Sequence, residues 1–479
     1  MLEISIAEMM RSTGVAFGTS GARGLVEQMT PEVCYAYAAA FWQAVGSGPR
    51  VVLGHDLRPS SPAIAAACAA ALSDAGAEII YAGALPTPAL ASFGRGLAAP
   101  VLVVTGSHIP FDRNGLKFYT ATDEISKADE QAMLQAVVRV PRQVLPVALP
   151  APDPRAHSDY LRRYADYFGR DCLRGMRVAV YEHSSVGRDV LREILVALGA
   201  EVLPLGRTSM FVPIDTEAVS AEDVARGKSW AAEHRFDAIL STDGDADRPL
   251  IGDETGSWFR GDMVGTLCAQ FLHADVVVTP VSSNTAVEKC GAFREVLRTR
   301  IGSPFVIAGM QQRHATTGGI VVGYEANGGF LLGSDIGKNG ATLKALPTRD
   351  AVLPMLALLT LARERGCPMS ALARDLPARF TYSDRLQNFA TTASAALLAS
   401  LPSDHAALAA LMAPSSGEIA HIDTLDGLRV TFANGDIVHL RPSGNAPELR
   451  CYAEADQAAV ARRLCEECLA RVSQAQKFS

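Results

Sequence analysis

Apolar residues in this chain gather in short runs that stop at polar, glycine-containing loops, and the same succession returns three times. Arg50-Val-Val-Leu-Gly-His55 predicts a strand entering a polar loop; an Ala-rich helix follows, and Gly76-Ala-Glu-Ile-Ile80 supplies the helix stop and the next strand. Residues 177–181 begin the pattern again, through a loop with His183 and Gly187, a helix to Leu198, and a further strand from Gly199. A fainter third copy starts at Asp275-Val-Val-Val-Thr279, with Ser282-Ser-Asn284 in its loop and Gly291 ending a helix. Each copy then reaches one more strand that ends in an unusual polar loop. Residues 101–105 lead into Gly106-Ser-His-Ile-Pro110, 238–242 into Asp243-Gly-Asp-Ala-Asp247, and 320–324 into Glu325-Ala-Asn-Gly-Gly329. Repeated strand–loop–helix–strand units predict an α/β fold of parallel or mixed sheets covered by helices. Ligands of such sheets sit outside the carboxyl ends of the strands, so three related units would turn these loops toward one cleft.

The pattern changes from about residue 377. Residues 428–432 and 436–440, joined by Asn434-Gly435, predict a hairpin; a strand over 449–453 and a helix over 457–472 follow. The Pro-rich stretch 141–154 reads as a linker. The expected organisation is three related mixed α/β domains around a central cleft (1–150, 151–255 and 256–376) and a C-terminal α+β domain, 377–479.

Composition narrows the partners. A chain of 479 residues, 48% hydrophobic and 20% charged, has room for three or four packed units. Its net charge of −7 excludes a nucleic-acid binder held by a basic face. The longest apolar runs, 63–72 and 351–362, fall well short of the roughly 20 residues that span a bilayer. The start carries Glu3 and Glu8 and shows no basic-then-apolar leader pattern, so no membrane partner and a cytoplasmic location are expected. Nine scattered cysteines form no disulfide framework, and Cys465 and Cys468, three apart on the last helix, read as buried small apolar residues.

The loops carry the chemistry. Asp243, Asp245 and Asp247 alternate in a short turn, which lets three carboxylates converge on one hard cation such as Mg²⁺; the frame is not that of an EF-hand. Ser107 is a poor nucleophile without a base or metal, and no GxSxG elbow is present. Ser107 and His108 are neighbours, which on an extended loop places their side chains on opposite sides. A phosphorylated Ser107 would complete the coordination of a cation held by the three aspartates. Arg441-Pro-Ser443-Gly444-Asn445 can form a phosphate-binding nest, and Gly18–Arg23 is a second Gly-rich stretch, without a Walker lysine, that offers Arg23 to a phosphoryl group.

Together these segments resemble the α-phosphohexomutase superfamily, over nearly the whole chain and in the expected order. Gly18–Arg23 matches its Gly-Thr-Ser-Gly-x-Arg, Thr105–Pro110 its phosphoserine loop, and Asp243–Arg248 its metal loop without change. Tyr324–Gly329 corresponds to its sugar loop and Arg441–Pro447 to its phosphate loop; Gly-Ser-His-Ile-Pro with Asn114-Gly-Leu-Lys117-Phe-Tyr most resembles the bacterial phosphomannomutase branch. The resemblance implies a Mg²⁺-dependent isomerase acting on hexose phosphates, as monomer or homodimer. Phospho-Ser107 would donate its phosphoryl group to give a hexose 1,6-bisphosphate. Ser107 and the three aspartates would hold the metal, with Arg23, His108, Lys117 and Arg248 catalytic. Arg300, Glu325, Asn327, Arg441, Ser443, Gly444 and Asn445 would bind substrate. Mannose phosphates are the expected substrate; glucose phosphates, a bifunctional enzyme, a Mg²⁺-dependent sugar phosphatase and a lapsed sugar-phosphate sensor are the alternatives. Two departures bear on specificity. Asn327 and Gly329 stand where relatives usually have Ser and a proton-transferring His, so that role must pass elsewhere or to Lys117. Arg300 stands where relatives often carry Lys.

Overall fold

The computed structural model describes residues 1–476 apart from 19, 47, 146, 339, 402–404 and 444–447, so Gly444 and Asn445 lie outside the described residues. In the first sheet Arg50–His55 runs between the parallel strands Glu78–Ala84 and Val101–Val104, and Arg113–Tyr119 returns antiparallel beside Val101–Val104. The second sheet repeats this order with Arg177–Tyr181, Glu201–Leu205, Ala238–Thr242 and Pro249–Gly252. The third does so with Val276–Pro280, Glu295–Thr299, Val321–Tyr324 and Phe330–Leu332. The fold is α/β, and the threefold repeat in the sequence is a threefold repeat of topology. The third copy is faint because its first crossover helix shrinks to one turn, Ala286–Lys289.

Parallel strands covered on both faces need unbroken apolar sequence. Val101–Val104 and Val276–Pro280 are accordingly buried at every position. Added strands extend two of the sheets: Ala22–Leu25 pairs with Arg113–Tyr119 and carries Ala16–Phe17 on its other side, and Leu346–Asp350 pairs with Phe330–Leu332 at an edge. The apolar run 351–362 becomes Val352–Arg365, a helix buried along nearly its whole length and ended by Gly366 at φ +61°. It belongs to a core continuous through all three repeats. Among the described residues no helix is long and apolar enough to cross a membrane.

The C-terminal sheet is wholly antiparallel, in the order Phe380–Gln387, Glu448–Ala455, Ile437–Pro442, Leu428–Phe432, Ile419–Asp423. The helix Ala458–Gln476 backs it and buries Cys465 and Cys468 completely, as small apolar residues. Phe380–Gln387 escapes the sequence pattern because it is an edge strand with mostly polar, half-exposed residues.

Candidate active site

The strand Val101–Val104 delivers Thr105 and Ser107 to the cleft, and a single arginine shapes the loop they begin. Arg58, 1% exposed, donates to four carbonyls of that loop: Ser107 O at 3.0 Å, Ile109 O at 2.6 Å, and Pro110 O and Arg113 O at 2.8 Å each. Asp56 pairs with Arg58 at 3.3 Å and accepts from Thr105 Oγ1 at 2.7 Å. Thr105 Oγ1 in turn receives the Ser107 N–H at 2.9 Å. A Cβ at Gly106 would lie 2.6 Å from the Arg58 guanidinium carbon, so the loop can close over Arg58 only with glycine there. Arg58→Met is expected to lower turnover about a hundredfold through a misplaced Ser107, with Mg²⁺ binding little changed; steady-state rates and calorimetry check this.

Ser107 sits at φ +52°, a left-handed conformation uncommon outside glycine. That turn overturns the expectation that Ser107 and His108 diverge: Ser107 Oγ lies 3.3 Å from His108 Nδ1. Ser107 Oγ also donates to Asp243 Oδ2 at 2.6 Å and is fully buried. His108 Nδ1 accepts from Arg248 Nη1 at 2.8 Å. The Arg248 charge, aided by burial, pushes the His108 imidazole down to about 2, so it is neutral near pH 7.

Asp243, Asp245 and Asp247 follow the buried strand Ala238–Thr242 and are themselves buried, with ligand-type oxygens all within 4.8 Å of one another. Their other oxygens are taken. Asp245 Oδ2 accepts from Thr87 Oγ1 and Lys117 Nζ, both at 2.6 Å; Asp247 Oδ2 accepts from Lys117 Nζ at 2.5 Å and from Arg349. Asp245 Oδ1 and Asp247 Oδ1 remain buried without a hydrogen-bond partner. Orphaned buried carboxylate oxygens are costly unless something cationic meets them. Three hard donors with two orphaned oxygens fit Mg²⁺. The charge balance agrees. Burial works against ionised Asp247, but Arg349, Lys117 and Arg248 outweigh it and hold the carboxyl well below its usual range. Burial, with Asp245 and Asp247 beside it, pushes Asp243 well above that range.

The third loop brings Glu325 and Asn327, both buried. Asn327 Oδ1 accepts the Gly329 N–H at 2.9 Å, so its side chain folds back on its own turn. Glu325 meets Arg349, whose guanidinium joins all three repeats. Nη1 lies 3.0 Å from both Glu325 Oε2 and Ser303 Oγ, Nη2 lies 2.9 Å from Asp247 Oδ2, and Nη2 reaches Ser20 Oγ at 3.3 Å. Arg23, on the strand Ala22–Leu25, completes the cationic group; burial, with Arg248 and Arg349 close by, lowers its guanidinium to about 10.

His108 and Arg248 open onto a cavity of about 530 Å³ whose far wall is the C-terminal sheet, with Arg385, Arg450 and Tyr452. Glu217 lines it too, its carboxyl raised by burial and by Asp215. Arg300 and Arg441 lie elsewhere. Arg300 Nε donates to Leu425 O at 3.1 Å, and Arg441 pairs with Asp426 at 3.0 Å. Both therefore sit where the third repeat meets the C-terminal domain, while Arg23, Lys117 and Arg248 gather at the carboxylates. Ser443, at the end of the same strand as Arg441, is buried. The sequence reading missed Asp56, Arg58, Thr87 and Arg349. Asp56 and Arg58 had a signal, since they lie just past the carboxyl end of the first repeat's central strand.

Moving a phosphoryl group demands positioning and charge neutralisation rather than elaborate covalent machinery. A buried hydroxyl among carboxylates and fixed cations is suited to that work. Comparison with known proteins narrows the class. Family models of the phosphoglucomutase/phosphomannomutase α/β/α domains I and III match residues 14–141 and 260–380, and that of the C-terminal domain matches 390–471. A phosphomannomutase of Salmonella muenchen is 46% identical over 471 residues, 97% of each chain. One of Sinorhizobium fredii is 45% identical over 468 residues, 95% of this chain and 98% of that one. A phosphoglucomutase/phosphomannomutase family protein of Burkholderia thailandensis shares the fold, with TM-score 0.75 over 97% of this chain and 98% of that one at 20% identity. The chain belongs to the phosphoglucomutase/phosphomannomutase family, and it is an isomerase that works by intramolecular phosphoryl transfer.

Proposed function

We propose that the protein interconverts mannose 6-phosphate and mannose 1-phosphate. The observation that carries the reading is the 2.6 Å contact of Ser107 Oγ with Asp243, inside a ring of fixed cations. Phospho-Ser107 gives its phosphoryl group to the free sugar hydroxyl: the bond from phosphorus to Oγ breaks, one to the sugar oxygen forms, and a hexose 1,6-bisphosphate results. The sugar turns over in the cleft and returns its other phosphate to Ser107. Arg23, Lys117 and Arg248 stabilise charge on the transferring group. Lys117 is engaged by Asp245 and Asp247, which suits it to hold charge rather than to shuttle a proton. His108, neutral, accepts from Arg248 and so fixes that cation beside Ser107. Asp243, Asp245 and Asp247 would hold Mg²⁺, which when bound supplies Lewis-acid neutralisation of the phosphoryl oxygens. Glu325 meets the sugar hydroxyls, and Arg441 with Ser443 the phosphate that is not reacting. The enzyme is assigned to the cytoplasm, consistent with nine unpaired cysteines, and the domain limits near 150, 255 and 376 are part of the same proposal.

Glucose phosphates are the second reading: Asn327 gives its Oδ1 to its own turn, which leaves its Nδ2 as the donor it can offer to a sugar hydroxyl. Coupled assays with mannose 1-phosphate and glucose 1-phosphate separate the two. Faster turnover of mannose 1-phosphate is expected; equal rates would make the enzyme bifunctional. Release of inorganic phosphate without an isomerised sugar would overturn the mutase in favour of a phosphatase.

A further inference from the structure

The loop that carries Glu325 has glycine at 329, and the space beside that glycine is filled. A Cβ on Gly329 would meet Arg349 Cδ at 2.5 Å, Cγ at 2.7 Å and Cβ at 3.1 Å. All three are atoms of the arginine stem, which cannot swing aside as a flexible tip would. The stem is fixed at both ends. Behind it, Asp350 points to the other side of the strand, where it accepts from Tyr160 OH at 2.8 Å, from Tyr164 OH, and from the Val352 N–H at 2.9 Å. Ahead of it, the guanidinium is 2% exposed and bonded to two carboxylates from different repeats.

Each carboxylate thereby has one oxygen hydrogen-bonded to Arg349 and one without a hydrogen bond among the described residues, that of Asp247 lying 3.6 Å from Arg248 Nε. Asp247 gives Oδ2 to Arg349 and keeps Oδ1, the orphaned oxygen that faces the cation site. Glu325 gives Oε2 to Arg349, and its Oε1 has no hydrogen-bond partner among the described residues. A planar guanidinium holds two acceptors at a fixed mutual angle, which a lysine ammonium or an imidazole does not. Nothing else among the described residues touches both loops with one charged group.

We propose that Arg349 is a positioning residue of the reaction and that Gly329 is the space it requires. Arg349 shares Asp247 Oδ2 with Lys117 and, among the described residues, alone holds Glu325 Oε2, so it ties the oxygen of Glu325 that meets the sugar to the oxygen of Asp247 that meets the metal, and the two loops are held in one register. The volume beside Gly329 is taken by an arginine from the neighbouring strand. The sugar arm of the inference rests on the mutase reading above; the metal arm stands without it.

The test uses Gly329→Ala, Arg349→Met and the double variant in the full chain. Mg²⁺ affinity is measured by calorimetry on the unphosphorylated protein, and KM and kcat with mannose 1-phosphate. Groups that orient metal ligands are worth about 10- to 100-fold in affinity, and a loss of that size is expected for Arg349→Met. Gly329→Ala is expected to weaken Mg²⁺ binding in the same direction and to raise KM more than it lowers kcat. The two changes act on one contact, so the double variant is expected to be no worse than the poorer single one. A structural role alone would lower the thermal midpoint of each variant and leave Mg²⁺ affinity and KM at parental values. That result, or losses that multiply in the double variant, overturns the proposal. Should Arg349→Met fail to fold, Gly329→Ala decides alone, because its Cβ has Arg349 as its three nearest contacts. If the parent turns over no hexose phosphate, the mutase reading fails, and the Mg²⁺ titrations still judge Arg349.

Discussion

Ser107→Ala is expected to remove mutase turnover, by at least roughly 10⁴-fold, the scale on which enzymes lose a covalent nucleophile. The substitution deletes one oxygen and leaves the geometry around it in place, because Arg58 holds the loop through backbone carbonyls and not through the serine side chain. Substrate binding is therefore expected to survive, and calorimetry with mannose 1-phosphate should give an affinity near the parental one. Incubation with glucose 1,6-bisphosphate should add the mass of one phosphoryl group to the parent and none to the variant. Turnover within about tenfold of the parent would remove Ser107 from the mechanism.

Asp245→Asn is expected to have the next largest effect. The change is isosteric but withdraws one of the three charges that face the cation. Its Oδ2 position is bound to Thr87 and Lys117, and its Oδ1, like Asp247 Oδ1 beside it, is buried with no hydrogen-bond partner. Loss of a direct ligand should exceed the roughly 100-fold cost of disturbing a group behind one, and mutase activity should fall with it. A ligand that binds only the folded state raises the unfolding midpoint, by an amount equivalent to about 2.7 kcal/mol at a hundred times its dissociation constant. Added Mg²⁺ should thus shift the thermal midpoint of the parent and barely move that of Asp245→Asn. Chelation should abolish the parental shift and its activity together. An undiminished shift in the variant would mean that the cation binds elsewhere.

Much of this was legible in the sequence, for a definite reason. Parallel strands buried on both faces write themselves as apolar runs, and their loops begin where the runs end, so Ser107, Asp243 and Glu325 could be found by position alone. The C-terminal hairpin was equally plain, because Asn434-Gly435 separates two alternating strands and Gly435 takes φ +86°. The meeting of Ser107 and His108 was not legible. It depends on a left-handed residue that is not glycine, and an extended chain is the better guess from sequence. Arg58 and Arg349 were hidden for another reason. Each acts on groups distant along the chain, across 49 to 55 positions for the loop carbonyls and 102 for Asp247, and one arginine among many bears no local mark of such a partner. The placing of Arg300 and Arg441 was hidden likewise. Arg300 and Arg441 have nearer acceptors at Leu425 and Asp426, which only the packing of the C-terminal domain reveals.

The knot formed by Lys117, Asp245, Asp247 and Arg349 also carries a consequence for synthesis of the chain. Its members are drawn from positions more than 200 residues apart, and a ribosome adding about 5–20 residues per second needs roughly 10–50 s to span that interval. For the first part of that time the nascent first repeat holds a lysine without these carboxylates, and for the rest the nascent second repeat holds an acidic loop awaiting its last counter-charge. The catalytic centre is thus among the last parts of the molecule to become native. A pause or truncation before Arg349 leaves ionisable groups that water must keep solvated, and such a chain advertises its immaturity to chaperones and proteases.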